Sequence, residues 1–107
     1  FAHKNAPDGM IGETLDFDEA IKKALEFARE DGNTLVIVTA DHETGGVTLP
    51  NEGGKVKISY STSGHTGVMI PVFAYGPGAE KFTGVYDNTD IPRKIRELAA
   101  PAPAAKK

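Results

Sequence analysis

The sequence predicts an α/β fold in which a helix leads directly into a buried strand. Apolar residues recur with helical spacing over about residues 17–30. A short connection follows, and residues 35–38 then form the uninterrupted run Leu-Val-Ile-Val. Because this run has no polar alternation, it is typical of a strand covered on both faces, as in a mainly parallel sheet. A helix and a strand joined this closely favour a layered α/β architecture.

The first helix is bounded by start and stop signals. Residues 1–15 are expected to form a loop, because a turn-forming Asn-Ala-Pro-Asp-Gly segment occupies residues 5–9. Asp16 is then a candidate helix N-cap, and Glu19 stands where it would complete a capping box. Gly32 follows the last apolar helical position, so we expect the helix to end there.

After the first strand the sequence predicts short strands, glycine-rich turns and a final helix. Lys and Ser alternate with apolar residues over residues 55–60, which predicts a half-exposed strand after an Asn-Glu-Gly-Gly turn. Residues 68–75 form a second apolar strand, and Pro71 restricts its early part to an edge or a bulge. Thr89 is the expected cap of a helix over about residues 90–99.

The ends of the chain have their own signals. We expect one domain over residues 1–99 and an unstructured tail of Ala, Pro and Lys over residues 100–107. The chain opens on Phe1 rather than on Met, so we expect either processing or a piece of a longer protein.

Composition excludes several classes of function. The net charge is -3 and no stripe of Lys and Arg occurs, which gives no reason to expect a nucleic acid as partner. No apolar run approaches the ~18 residues that a membrane span needs. The absence of Cys excludes disulfides and thiolate metal sites. Any metal must therefore be held by His and carboxylates, which suit zinc, magnesium or manganese.

Asp41 and His42 directly follow the predicted buried strand. Ligands of open α/β sheets gather at the carboxyl ends of strands, and a carboxylate there is costly to desolvate unless it is paired or binds a metal. Asp41 and His42 are therefore candidate metal ligands. The alternative is that Asp41 caps the next turn and that His42 is a solvated loop residue.

The other two His of the chain are weaker candidates for metal ligands. His65 lies in a Gly-His-Thr-Gly loop, where its small neighbours would let the backbone direct the imidazole into a cleft. The alternative is that His65 is an ordinary surface His in a glycine-rich loop. His3 precedes the first turn and has no further signal. The neighbouring Glu43 is a candidate general base or a solvated loop residue. No nucleophile can be named, because neither a Gly-x-Ser-x-Gly elbow nor a P-loop occurs.

Taken together, these segments resemble the carboxy-terminal portion of the alkaline phosphatase family, over nearly the whole chain apart from the tail. Thr-Ala-Asp-His after a Val/Ile strand, followed by Gly-His-Thr-Gly, is specific in combination. The matching segments are His-Lys-Asn at 3–5, Ile-Gly-Glu-Thr-Leu-Asp-Phe-Asp-Glu-Ala at 11–20, Thr-Leu-Val-Ile-Val-Thr-Ala-Asp-His-Glu-Thr-Gly-Gly at 34–46, Ser-Gly-His-Thr-Gly at 63–67, Ala-Tyr-Gly-Pro-Gly-Ala at 74–79 and Asp-Asn-Thr-Asp-Ile at 87–91.

The resemblance implies a partial three-layer α/β sandwich whose parent enzyme hydrolyses phosphate monoesters through a Ser or Thr nucleophile. It also implies a two-zinc site with a magnesium ion nearby. Carried over by position, His3 and His65 are ligands of one zinc, and Asp41 and His42 are ligands of the other. A periplasmic or extracellular location is implied by the family alone. An unpaired sheet edge would favour self-association, so a homodimer is expected.

The family's nucleophile, the Asp shared by zinc and magnesium, and the phosphate-binding Arg belong upstream of the matched region. Each zinc would keep two protein ligands in this chain, whereas a catalytic zinc usually has three. We therefore expect the chain alone not to turn over substrate. The alternatives are a free-standing, non-catalytic α/β module that binds a metal or a partner, and a phosphodiesterase or sulfatase of the same superfamily.

Overall fold

The computed structural model describes residues 1–100, and the expected tail lies outside the described residues except for its first position. Two α-helices, six short strands and two 3₁₀ turns follow one another along the chain. In order they are the 3₁₀ turn Ala2–Lys4, α1 (Pro7–Asp31), β1 (Val36–Val38), β2 (Glu43–Thr44), β3 (Asn51–Glu52), β4 (Lys55–Val56), β5 (His65–Thr66), β6 (Phe73–Tyr75), the 3₁₀ turn Ala79–Phe82 and α2 (Asp90–Ala99).

Helix α1 begins at Pro7, so the loop expected over residues 1–15 is wrong. Pro needs no hydrogen-bond partner at the first helical position, because it has no N–H there, and its fixed φ suits the helix. Asp16 consequently lies inside the helix and does not cap it. The predicted end is confirmed, because Gly32 has φ 70° and donates its N–H to the carbonyl of Ala28 at 3.0 Å.

Strand β1 confirms the expected strand but not its expected pairing. It pairs antiparallel with β6, with Val36 opposite Tyr75 and Val38 opposite Phe73. Its residues are half-buried rather than covered on both faces. Every ladder among residues 1–100 is a two-stranded antiparallel pair, so a mainly parallel buried sheet is not confirmed. Residues 68–72 of the second predicted strand precede β6 without pairing, in keeping with the restriction that Pro71 imposes.

Strands β3 and β4 form a hairpin. The strand expected over residues 55–60 is confirmed at Lys55–Val56, whereas Asn51 and Glu52 of the expected turn pair with it as β3. Gly53 and Gly54 connect the two strands with φ of 60° and 81°, the positive values that a tight two-residue hairpin turn of this hand requires. The pairing continues through a bridge between Thr48 and Ser59. Along the chain the hairpin separates β2 from β5, whose residues belong to the candidate site.

Helix α2 starts where the sequence predicts, but its first turn is stabilised differently. Thr89 stands at the N-cap without a side-chain capping bond. Instead, Oδ1 of Asp87 accepts both the N–H of Thr89 at 2.9 Å and its hydroxyl at 2.7 Å. The pKa of Asp87 is lowered, chiefly by the Thr89 N–H and then by the Thr89 hydroxyl.

The described chain has a small core. Among apolar residues, only Ala28 at 3% and Phe82 at 5% relative exposure are buried. The radius of gyration is 18.1 Å, against about 13 Å for a compact domain of this length. Large apolar side chains lie exposed along α1 and near β6, among them those of Ile11, Leu15, Phe17, Phe27, Val68, Met69 and Phe73. No helix of residues 1–100 is both long and apolar enough to cross a membrane.

Candidate metal centre

Three segments that are distant in sequence bring the three imidazoles together. His3 lies in the 3₁₀ turn Ala2–Lys4, His42 lies between β1 and β2, and His65 is the first residue of β5. The ring centroids of His42 and His65 are 3.7 Å apart, and that of His3 lies 5.2 Å from His65 and 6.3 Å from His42. The structure thus forms a single imidazole cluster from these residues.

The short ladder between β2 and β5 places two of these rings side by side. Glu43 lies opposite Thr66, and Thr44 lies opposite His65. His42 directly precedes β2, so its ring reaches the ring of His65 across the ladder. His65 therefore belongs to a paired strand, not to the free loop that its glycine neighbours predict.

Asp41 lies beside the cluster with its side chain 84% exposed. Its Oδ2 is 3.3 Å from Nε2 of His42, and its Oδ1 accepts the backbone N–H of His42 at 3.0 Å. The contact of Oδ1 with the backbone N–H of His42 is the kind of local contact expected if Asp41 caps the next turn. Within residues 1–100, no three His, Asp or Glu side chains are arranged to hold one metal ion.

One backbone carbonyl faces both rings of the β2–β5 ladder. Nδ1 of His42 lies 3.1 Å from the carbonyl oxygen of Glu43, and Nδ1 of His65 lies 3.2 Å from the same oxygen. The hydroxyl of Thr44 is 3.4 Å and 3.2 Å from the two Nδ1 atoms. Because a carbonyl oxygen only accepts, the contact with Glu43 favours a proton on Nδ1 of His65, which keeps the lone pair of its Nε2 for a metal. In His42 the Glu43 carbonyl at Nδ1 and the Asp41 carboxylate at Nε2 compete for the ring proton, so the contacts fit either tautomer.

The Glu43 carboxylate is engaged within the loop. Its Oε2 accepts the hydroxyl of Thr66, and its Oε1 accepts the N–H of Val47 at 3.1 Å. The pKa of Glu43 is lowered, chiefly by the Thr66 hydroxyl and further by the backbone N–H groups of Val47 and Gly46. A carboxylate held in its ionised form by these donors is a weak base, which argues against Glu43 as a general base.

Asn5 fastens the segment of His3 to the segment of His65. Its Nδ2 donates to the carbonyl of Thr62 at 3.0 Å, and its backbone adopts the left-handed φ of 47° that Asn tolerates better than most residues. Gly45 lies against it, since a Cβ there would stand 3.0 Å from Oδ1 of Asn5. No sequence pattern predicts this contact, because Asn5 is recognisable only as part of a turn-forming segment.

An open cavity of about 460 Å³ adjoins the cluster at the carboxyl end of β1. Asp41 lies on its wall together with the apolar side chains of Ile70, Val72 and Val85. The carboxyl end of a strand is where ligands of open α/β sheets gather. Of the four candidate metal ligands, Asp41 alone lines this cavity.

Comparisons with known proteins agree with one another. The family model for alkaline phosphatase matches residues 1–56 and 51–100. Alkaline phosphatase H of Pseudomonas aeruginosa is 43% identical and covers 88% of this chain and 24% of its own. The alkaline phosphatase of Escherichia coli is 41% identical, over 83% of this chain and 23% of its own. Streptomycin-6-phosphate phosphatase of Streptomyces griseus is 41% identical, over 84% and 24% respectively.

Solved structures give the same result. The alkaline phosphatase from the Antarctic bacterium TAB5 superposes with a TM-score of 0.86 at 50% identity, over 91% of this chain and 31% of that one. A mutant of that enzyme with Mg bound in its M3 site superposes equally well, at 49% identity over 91% of this chain and 32% of that one. The chain spans about a quarter of the length of the curated relatives named above.

Proposed function

Because this chain belongs to the alkaline phosphatase family, we propose that the protein carrying it hydrolyses phosphate monoesters at a metal site to which this chain contributes. The convergence of His3, His42 and His65 is the observation that carries this proposal. Imidazole nitrogens and a carboxylate, with no thiolate, form a donor set that suits zinc.

The residues divide between two zinc ions in this proposal. His3 and His65 bind one zinc, and Asp41 and His42 bind the other. The contact of Nδ1 of His65 with the Glu43 carbonyl supports ligation through Nε2 of His65. Nε2 of His42 lies 3.3 Å from Oδ2 of Asp41, the residue with which it shares a zinc in this proposal. The lack of three ligands around any single point within residues 1–100 is compatible with two protein ligands per ion from this chain.

The remaining parts of the site belong to the rest of the protein. They are the Ser or Thr nucleophile, a third ligand for each zinc, the magnesium ligands and the phosphate-binding Arg. Zinc, when bound, supplies the positive charge that stabilises attacking and leaving oxygens. The role of this chain is to hold its imidazoles and Asp41 in one place at the carboxyl end of β1.

The rest of the protein also completes the fold in this proposal. Among the described residues β1 has β6 as its one partner, which leaves its second edge for a parallel strand of a three-layer sandwich. A homodimer and a periplasmic or extracellular location are proposed from the family resemblance and from the need to cover sheet edges.

Activity of the complete protein tests this function. We expect hydrolysis of p-nitrophenyl phosphate that is lost with a chelator and restored by zinc and magnesium. Asp41→Asn is expected to lower kcat/KM by at least about 100-fold, because loss of a direct ligand should exceed the 10–100-fold effect of outer residues. Asp18→Asn, at an exposed Asp on α1, is the matched control and should leave kcat/KM unchanged.

Two results would contradict the proposal. Faster turnover of bis(p-nitrophenyl) phosphate or p-nitrophenyl sulfate than of the monoester would indicate a phosphodiesterase or sulfatase instead. Activity that survives removal of all metal would exclude the site as described.

A further inference from the structure

We propose that Glu43 is a positioning residue that sets the spacing and orientation of His42 and His65. Its carboxylate holds β2 against β5, and its carbonyl oxygen orients both imidazoles. This inference rests on the proposed function, because the purpose of the arrangement is to present two Nε2 atoms to metal.

The carboxylate of Glu43 adds a side-chain hydrogen bond between β2 and β5. Glu43 and Thr66 are directly opposite one another, so the hydroxyl of Thr66 donates to Oε2 across the pair. Oε1 accepts the N–H of Val47 on the same segment at 3.1 Å. With both oxygens engaged, the side chain is fixed between the two strands.

The ladder needs this contact because it is short. Strands β2 and β5 have two residues each, and so small a two-stranded pair is at best marginally stable on its own. Backbone bonds next to the ladder all involve Gly45, whose N–H donates to the carbonyl of Gly64 at 2.8 Å and whose carbonyl accepts the N–H groups of Ser61 at 3.0 Å and Thr62 at 3.2 Å. The bond between Glu43 and Thr66 joins the strand next to His42 to the strand that carries His65.

The carbonyl of Glu43 then acts on the rings. It lies within 3.2 Å of Nδ1 of both His42 and His65, whose ring centroids are 3.7 Å apart. A backbone carbonyl moves with its strand, so a shift of β2 relative to β5 would turn both rings together. Partners of this kind, behind metal-binding His residues, fix the protonated nitrogen and the ring orientation.

Glu43 acts through these neighbours rather than on a metal or a substrate. Its two carboxylate oxygens face the Thr66 hydroxyl and the Val47 N–H. It belongs to no group of three metal-binding side chains within the described part of the chain.

Three variants of the complete protein test the role of Glu43. Glu43→Ala removes both contacts, and Thr66→Val removes the hydroxyl at nearly constant shape. Glu43→Gln can keep both, because its amide oxygen accepts the Val47 N–H while its amide N–H donates to the hydroxyl oxygen of Thr66. Thr83→Val is the matched control, since the Thr83 hydroxyl donates to the Glu80 carbonyl away from the site.

The readouts are zinc affinity, measured by competition with a chromophoric chelator, and the visible spectrum of the cobalt-substituted protein. We expect Glu43→Ala and Thr66→Val to lower zinc affinity by about 10–100-fold and to shift the cobalt bands. Glu43→Gln and Thr83→Val should match the unaltered protein in both measurements.

The outcomes separate this inference from the proposed function. If the unaltered protein binds zinc and hydrolyses the monoester while Glu43→Ala and Thr66→Val keep full affinity and an unchanged spectrum, the positioning role alone is overturned. A loss in Glu43→Gln as large as that in Glu43→Ala also overturns it, because charge rather than placement would then matter. An unaltered protein that binds neither zinc nor cobalt overturns the proposed function and this inference together.

Discussion

At the scale of single residues, the cluster owes its form to contacts between segments far apart along the chain. The Asn5 side chain reaches Thr62 across 57 positions, and the Thr66 hydroxyl reaches Glu43 across 23. Each contact ties a segment that carries one imidazole to a segment that carries another. The imidazoles themselves are flexible side chains, so their common location depends on these ties.

The pH dependence of zinc affinity is a prediction at this scale. A ligating imidazole must be neutral, so affinity is expected to fall below about pH 6, near the ordinary pKa of His. Isothermal titration between pH 5 and pH 8 measures it. Affinity that stays flat over this range would contradict ligation by His.

Protonation of Glu43 does not account for that fall. The pKa of Glu43 in the folded protein is lowered from its ordinary value of 4.5 by the Thr66 hydroxyl and by backbone N–H groups. A lowered pKa means that the stabilisation by Glu43 is fully present above the unfolded value and is lost as the pH falls through the folded value. The hydrogen bonds of Glu43 therefore persist at pH 5.

The sequence predicted the candidate site in part. His3, Asp41, His42 and His65 were predicted from loop positions and family resemblance, and the structure brings the three imidazoles together. The roles of Asn5 and Thr66 were not predictable, because each depends on a partner that no local pattern identifies. Glu43 was predicted as a base or a solvated residue, and only the register of β2 with β5 reveals its contact.

At the scale of elements, local signals located some helix and strand ends. Gly32 ends α1 as predicted, because a left-handed residue suits that position. The start of α1 at Pro7 is not predicted, because Pro is common both in turns and at the first position of a helix. Parallel pairing of β1 was inferred from apolar composition, and composition identifies no partner strand. The observed partner, β6, pairs antiparallel across more than thirty intervening residues.

Two glycines provide a prediction at the scale of elements. Gly76 turns the chain after β6 with φ 101°, and a Cβ there would lie 2.1 Å from the Thr34 carbonyl oxygen. Gly76→Ala is therefore expected to cost more than about 1 kcal/mol of unfolding free energy. Gly12→Ala is the matched control, because Gly12 lies within α1 with nothing near its Cβ position. It should stabilise the protein by about 0.5–1 kcal/mol.

Denaturant unfolding of the complete protein measures both changes. Equal unfolding midpoints for Gly76→Ala and the unaltered protein would contradict the proximity of the turn after β6 to Thr34. A loss of stability in Gly12→Ala would contradict the account of α1 as an unobstructed helix at that position.

At the scale of the whole molecule, the described chain has only a small core of its own. Ala28 and Phe82 are its buried apolar residues, and the radius of gyration of 18.1 Å exceeds the compact value of about 13 Å. Apolar side chains left in water contribute nothing to folding, so a protein of this family needs other segments to cover α1 and β6. That residues 1–99 are the carboxy-terminal portion of an alkaline-phosphatase-like domain stays a prediction.

The most direct test of the account is anomalous diffraction at the zinc edge from crystals of the complete protein. The account predicts two zinc peaks, one within about 2.1 Å of Nε2 of His3 and His65, the other within about 2.2 Å of Nε2 of His42 and a carboxylate oxygen of Asp41. Peaks bound through Nδ1, or no zinc beside these imidazoles in protein that retains its activity, would contradict it.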